Sequence, residues 1–209
     1  VKYTLYYFEF EGRGFPIRLA FHHGNVDFDD VRLSSSDFGD QKSSFPFASV
    51  PVLRVSEDGK DDRVFAQSNA LLRFVGRQVG LYPDKPMDAL VVDELMDAVE
   101  DIANALFLAP PTNDAVVKDA MQQKLVEVTL PRFLGGIESK LEANKDLGGP
   151  FLLGETLTVA DLKLHTVVGQ LRGWSLVPST VVDPYPRILS LHKAVDDLPI
   201  VKDYRKKYA

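Results

Sequence analysis

Tyr3-Thr4-Leu5-Tyr6-Tyr7-Phe8, then Gly12-Arg13-Gly14, then Phe15-Pro16-Ile17-Arg18-Leu19-Ala20-Phe21 is the stretch on which the reading of this chain turns. The first six residues are largely aromatic or β-branched, the composition of a short strand. Two glycines interrupt that pattern, and Pro16 stands where the first turn of a helix tolerates proline, ahead of Ile17, Leu19, Ala20 and Phe21. Strand, loop and helix are therefore expected in that order. Alternation puts Leu5 and Tyr7 on one face of the strand and Tyr6 on the other, so the adjacent tyrosines cannot serve one pocket.

Working outward, Phe28 to Leu33 reads as a second strand, and Ser34 to Ser49 is too rich in Ser, Asp and Gly to predict an element. Val52 to Val55 and Arg63 to Ala66 flank Ser56-Glu57-Asp58-Gly59 and predict a hairpin with a charged tip running to Asp62. Ser68 opens a helix that ends at Gly80. Pro83 and Pro86 fall in a segment without apolar period, which predicts a linker over 81–87. Beyond it, Ala89, Val92, Met96, Val99, Ile102, Ala103 and Leu106 recur at three and four and predict a long amphipathic helix with an acidic side. Further helices are expected at about 114–143, 158–172 and 184–196 on the same pattern. The last but one starts with a capping box at Thr158-Val-Ala-Asp161, supported by a Leu157 to Leu162 staple. The expected organisation is an α/β domain over 1–80, a linker over 81–87 and an all-α domain over 88–209.

Composition narrows the function classes. A chain of 209 residues with 45% apolar content is long enough for one large core or two modest ones. A net charge of -6 leaves no excess of Lys or Arg to neutralise phosphates, so neither nucleic acid nor an anionic membrane is an expected partner. The absence of cysteine removes disulfides, thiolate metal sites and a cysteine nucleophile together, and any thiol chemistry has to use a ligand's sulfur. No apolar run is long enough to span a bilayer, and cytoplasmic residence is expected. His22, His23, His165 and His192 show no ligand spacing with carboxylates, so no metal site is expected. Gly12-x-Gly14 has Ile17 where a dinucleotide loop needs its third glycine, which excludes a Rossmann reading.

Four features in the first eighty residues carry chemistry only in combination: Tyr7-Phe8, Gly12-Arg13-Gly14, Val50-Pro51 and Gln67-Ser68. Singly, Tyr7 reads equally as a packing aromatic, Arg13 and Lys42 as solvated cations, Pro51 as a strand-entry proline and Ser68 as an N-cap. Ser68 also opens a helix whose unpaired first-turn amides and partial positive charge suit a carboxylate.

The order and spacing of the four features resemble the cytosolic glutathione transferases, and the helical second part with its Thr158 capping box matches as well. The resemblance covers essentially the whole chain. It implies a thioredoxin-like α/β N-terminal domain followed by an all-α C-terminal domain. Tyr-Thr-Leu-Tyr-Tyr-Phe, the Gly-Arg-Gly loop, Asp37-Phe38 and Lys42 are most similar to the sigma class, of the tyrosine type. No serine occurs between Val1 and Leu33, which disfavours the branches that use an early serine.

Several residue roles follow from the resemblance. The family motif places the catalytic hydroxyl immediately before Phe8, which selects Tyr7 over Tyr6. A thiol with a pKa of roughly 8.5 is mostly protonated at neutral pH, and a phenol donating a hydrogen bond to its sulfur favours the thiolate. Arg13 is expected to support that thiolate or orient the electrophile. Gln67 and Ser68 correspond to the γ-glutamyl carboxylate site, Val50 and Pro51 to the backbone that pairs with the tripeptide, and Lys42 to the glycyl carboxylate. Phe38 stands where the sigma pattern usually has tryptophan, and phenylalanine has no N–H to offer that carboxylate. Asp93, Asp97, Glu100 and Asp101 form an acidic face. Members of the family are two-fold dimers in which an aspartate matching Asp101 reaches the neighbour's glutathione amino group. Phe10, Phe107 and Leu108 are candidates for an electrophile pocket. The expected ligands are glutathione, as co-substrate rather than tightly bound cofactor, and a small hydrophobic electrophile. The same thiolate also serves isomerases of the prostaglandin D synthase type, and the lens crystallins use the fold without catalysis.

Overall fold

A computed structural model describes residues 1–107 and 114–208. The chain divides into two compact units, Val1–Pro83 with Pro199–Ala209, and Asp84–Leu198. The first is a thioredoxin-like α/β unit and the second is all-helical among the described residues.

In the first unit the elements are β1 (Lys2–Phe8), α1 (Phe15–His23), β2 (Asp29–Leu33), α2 (Ser35–Gln41), β3 (Val52–Ser56), β4 (Arg63–Ala66) and α3 (Ser68–Gln78). The sheet order is β2-β1-β3-β4, with β1 and β2 parallel and the other pairs antiparallel. A parallel pair needs a crossover, which α1 supplies, whereas β3 and β4 are joined by the short charged hairpin. Tyr6 faces Val52 on β3, and Tyr7 pairs with Arg32 on β2. Leu5 and Tyr7 are buried, and Tyr6, on the opposite face, is half-buried.

The polar segment after β2, for which no element was expected, forms α2. Ser34 caps it through a reciprocal bond with Asp37, and none of its seven residues is buried. A helix without an apolar stripe leaves no periodic signal, so its cap is the whole of its signature. Two 3-10 turns follow, Lys42–Ser44 and Pro46–Ala48.

The second unit contains α4 (Pro86–Phe107), α5 (Ala115–Lys124), α6 (Leu130–Ala143), α7 (Val159–Gly173) and α8 (Pro186–Asp196). The single helix expected over 114–143 is interrupted by a π turn at Leu125–Thr129. Pro131 accounts for the break, because its ring clashes with the carbonyl of Glu127 and it has no N–H to donate. α7 is buried on nearly all sides and holds Asp161, Lys163, His165, Thr166 and Gln170 in the interior. Polar groups so placed require partners, and Lys163 makes an ion pair with Glu100 of α4.

No element was expected after α8. The chain there forms α9 (Pro199–Tyr208), which belongs with the first unit rather than with the helices before it. The Tyr204 ring meets Phe15 edge-on at 5.2 Å, its hydroxyl accepts a hydrogen bond from Arg32 at 2.7 Å, and Arg205 pairs with Glu11 at 3.1 Å. No helix among the described residues is long and apolar enough to cross a membrane.

Candidate functional site

β1 carries Tyr7 into the interior, where it is 5% exposed, and its hydroxyl accepts a hydrogen bond from the backbone N–H of Arg13 at 2.9 Å. A hydroxyl has one proton to give and two lone pairs to accept with. The Arg13 amide takes one lone pair, so the phenolic proton has to point elsewhere. The amide also polarises the hydroxyl and makes it a better donor.

The glycines of the loop exist for this phenol. A Cβ at position 12 would lie 2.4 Å from the Tyr7 oxygen, and one at position 14 would lie 2.5 Å from its ring. Gly14 has φ -81, an ordinary value, so space rather than backbone freedom demands glycine there. Phe8 and Phe10 stack at 5.4 Å and meet the Tyr7 ring edge-on at 5.5 and 5.7 Å. Phe10 is 48% exposed, so the aromatic group opens to solvent through it.

Sequence reasoning missed Arg18. It is fully buried, donates from Nε to Asp30 at 2.8 Å, and holds its guanidinium carbon 5.8 Å from the Tyr7 ring centroid. Its two terminal nitrogens are buried without a hydrogen-bond partner among the described residues. A buried cation needs a compensating charge, and Asp30, which also pairs with Arg32 at 3.0 Å, supplies it. The signal in the sequence was a lone arginine inside the apolar run of α1, together with two aspartates opening β2.

A second group of predicted residues gathers on one apolar cluster. Leu33, Phe45 and Val52 form its centre, and Tyr6, Phe8, Phe38, Val50 and Ala66 pack against it. The Val50-Pro51 peptide bond is cis, and the ladder of β3 begins just beyond it with Val52 opposite Tyr6. Ala66 leads into Gln67, whose φ of 76 and ψ of 103 lie where non-glycine residues rarely go. Such a conformation costs on the order of 1–3 kcal/mol and persists only where the surroundings impose it. It sets Ser68 as the first residue of α3, with first-turn amides lacking carbonyl partners within the helix. Phe38 meets Phe8 edge-on at 5.3 Å, and the exposed Lys42 places its ammonium 5.9 Å from the Phe38 ring.

The remaining candidates lie in the helical unit. Asp101 is exposed on α4. The acidic face is divided: Glu100 pairs with the buried Lys163, a structural use of one of its carboxylates. Phe107 packs edge-on against Trp174 at 5.1 Å. Leu108 lies outside the described residues.

Contrary to expectation, the histidines do include a pair with ligand spacing to a carboxylate. His192 and Asp196 are one turn apart on α8, and the fold brings His165 of α7 onto the same carboxylate. The spacing of four between His192 and Asp196 was visible in the sequence; the third member, 27 residues before His192, was not.

A sequence profile described as glutathione S-transferase, C-terminal domain, matches residues 96–208. The chain is 30% identical to glutathione S-transferase 1 of Ascaris suum over 207 residues, covering 97% of this chain and 95% of that one. It is 28% identical to S-crystallin SL11 of Nototodarus sloanii over 206 residues, covering 99% of this chain and 96% of the crystallin. Among solved structures, prostaglandin synthase D of Nilaparvata lugens superposes with a TM-score of 0.84 at 27% identity, over 99% of this chain and 98% of that one.

Proposed function

The chain belongs to the glutathione S-transferase family, and on that footing we propose that it binds glutathione on its α/β unit and conjugates the bound thiolate to small hydrophobic electrophiles. The observation that carries this reading is the buried Tyr7 hydroxyl accepting from the Arg13 amide. With that lone pair engaged, the phenol donates its proton to the ligand sulfur and favours the thiolate over the thiol. Tyr7 keeps its own proton throughout. The Arg13 side chain adds fixed positive charge beside the sulfur.

The tripeptide lies along the edge of the apolar cluster. Its γ-glutamyl carboxylate takes the first-turn amides of α3 and the Ser68 hydroxyl, with Gln67 held beside it by the unusual backbone. Its backbone pairs with Val50 ahead of Pro51, next to the β3 ladder, as an added strand does. Phe8 and Phe38 support the cysteinyl and glycyl portions, and Lys42 neutralises the glycyl carboxylate. Without an indole at position 38 that carboxylate has one donor fewer. Phe10, exposed beside Tyr7, is the first wall of an electrophile site. The motif residues around Tyr7 and Arg13 favour the sigma class.

The active form is a homodimer, located in the cytoplasm and acting in detoxification. Exposed apolar side chains on both units support the dimer: Phe47 is 76% exposed and Phe65 44%, and on α4 Met87 is 69% and Leu90 58%. Covering such groups is the usual driving force for association. Asp101 then reaches the amino group of the partner subunit's glutathione.

Conjugation of a chloronitrobenzene substrate tests the reading directly. Tyr7→Phe should cut turnover by roughly 10- to 100-fold, the value of one hydrogen bond to a charged atom. The pKa of the bound thiol, followed by thiolate absorbance, should rise in step. Unchanged turnover and thiol pKa would remove Tyr7 from the role.

Two further outcomes are set by the relatives. The likeness to prostaglandin synthase D favours an isomerase reading with the same thiolate, which product analysis separates because isomerisation regenerates glutathione. The likeness to S-crystallin favours a non-catalytic protein, and calorimetry showing no glutathione binding at millimolar concentration would make that the leading reading.

A further inference from the structure

The cluster on α7 and α8 lies entirely within the helical unit and takes no part in the glutathione chemistry above. His165 is 1% exposed and sits with Nε2 2.7 Å from Oδ1 of Asp196. The His192 ring stacks on the His165 ring, centroids 4.6 Å apart and planes 21° apart, with its Nε2 3.9 Å from the other oxygen of the same carboxylate. One ligand atom from each of the three residues lies within 4.8 Å of the others.

A single His–Asp hydrogen bond accounts for half of this arrangement. It does not account for a second imidazole laid parallel to the first with its Nε2 turned to the same carboxylate. Two imidazolium rings stacked at that spacing would repel each other, so the arrangement suits neutral rings. A neutral imidazole offers a lone pair to a metal. Donors about 2.0–2.2 Å from a tetrahedral ion stand roughly 3.3–3.6 Å from one another, which the observed spacing meets with small side-chain movement.

We propose that His165, His192 and Asp196 form a binding site for a divalent transition-metal ion of the zinc type, which clips α7 to α8. Two imidazole nitrogens and one carboxylate oxygen are a donor set of borderline softness, suited to zinc rather than to calcium or magnesium, which take oxygen shells. Asp196, with a 37% exposed side chain, gives the ion its path from solvent and leaves room for water in a fourth position. Arg172 of α7 lies near enough to oppose a cation here, and the Asp196 carboxylate acts against it.

The experiment uses the whole chain, stripped with a chelator, and titrates it with Zn2+ by calorimetry and with Co2+ by visible absorption. One ion per chain is expected, with micromolar or better affinity and the d–d bands of a four-coordinate Co2+. His192→Gln and Asp196→Asn should each weaken binding by at least the roughly 10-fold that loss of a mere outer-shell partner costs. The paired change His22→Gln with His23→Gln, which removes the other two histidines of the chain, should leave it intact. Zinc should raise the melting temperature of the unaltered protein and not that of His192→Gln. No uptake in the micromolar range, or uptake that survives both His192→Gln and Asp196→Asn, overturns the proposal. Should a variant fail to fold, X-ray absorption of the zinc-loaded unaltered chain decides: two imidazoles in the first shell support the site, and an oxygen-only shell overturns it.

Discussion

Two helices of this molecule begin with the same device in different surroundings. At α2, Ser34 and Asp37 exchange hydrogen bonds, Asp37 accepting from the Ser34 amide at 3.0 Å and from its hydroxyl at 2.6 Å. At α7, Asp161 accepts from the Thr158 amide and hydroxyl, both at 2.7 Å, and from the amide of Leu152 at 2.8 Å. The exposed Asp37 has its pKa lowered by the Ser34 hydroxyl and amide. Asp161, fully buried, has its pKa raised to about 6 because loss of hydration outweighs all of those donors. The same device therefore starts a helix at the surface and, in the core, also ties the Leu152 loop to a helix at the cost of burying a carboxyl. Motif identity fixes the bonds; burial decides which side of the proton balance they leave the group on.

The largest test is Asp161→Ala, which strands the buried amides of Leu152 and Thr158 and should cost about 4 kcal/mol in urea unfolding, at a cost of about 1–3 kcal/mol for each stranded group. Next comes the pH dependence of Asp161→Asn relative to the unaltered chain. A raised pKa in the folded state means the carboxyl's contribution is fully present below about 3.8 and is lost as pH rises through about 6. The deficit of the Asn variant should therefore widen on going from pH 6 to pH 4, by about 2 kcal/mol. A deficit that shrinks in acid would mean the donors outweigh burial at α7 as they do at α2. Ser34→Ala should cost about 1 kcal/mol or less, read as faster amide exchange in α2. Because α2 carries Phe38 and leads directly into Lys42, that variant should also raise the KM for glutathione while leaving kcat near its original value. The smallest expected effect is from Phe38→Trp, which adds one N–H donor and should lower the same KM by about fivefold, near 1 kcal/mol.

The two boxes also show what a sequence displays. Thr158-Val-Ala-Asp161 stood out because a dense apolar run, with Leu162, Leu164, Val167, Val168 and Leu171, follows it. Ser34-Ser-Ser-Asp37 precedes a helix with no buried face, and among the serines of 34–49 it looked like loop. The same contrast holds at the candidate site. Strand alternation, a local property of the backbone, put Tyr7 and Tyr6 on opposite faces, and the resemblance of Tyr7-Phe8 to the family motif chose between them. Arg18 was not recognised, because a charge inside an apolar stripe declares itself only when its partner is known, and Asp30 comes twelve residues later on a strand. α9 carries a short stripe, Val201, Tyr204 and Tyr208 at spacings of three and four, which went unrecognised, and only the fold shows that it packs on α1. The glycines at 12 and 14 were visible as a loop, but their reason, the Tyr7 ring, is a contact across the fold.

By itself the sequence determined the alternation of strand and helix in the first eighty residues, the all-helical run beyond them, and the order of the motif residues from Tyr7 to Ser68. These are written in periods of two and 3.6 and in turn chemistry, which act over a few residues. Only the tertiary structure decided that the Arg13 amide takes a lone pair of Tyr7, that Phe8, Phe38 and Val50 share one cluster, that α9 returns to the first unit, and that His165 meets His192 and Asp196. Each of those depends on groups far apart in the chain meeting where water is excluded, and there distance and desolvation set the energies, which no local pattern encodes.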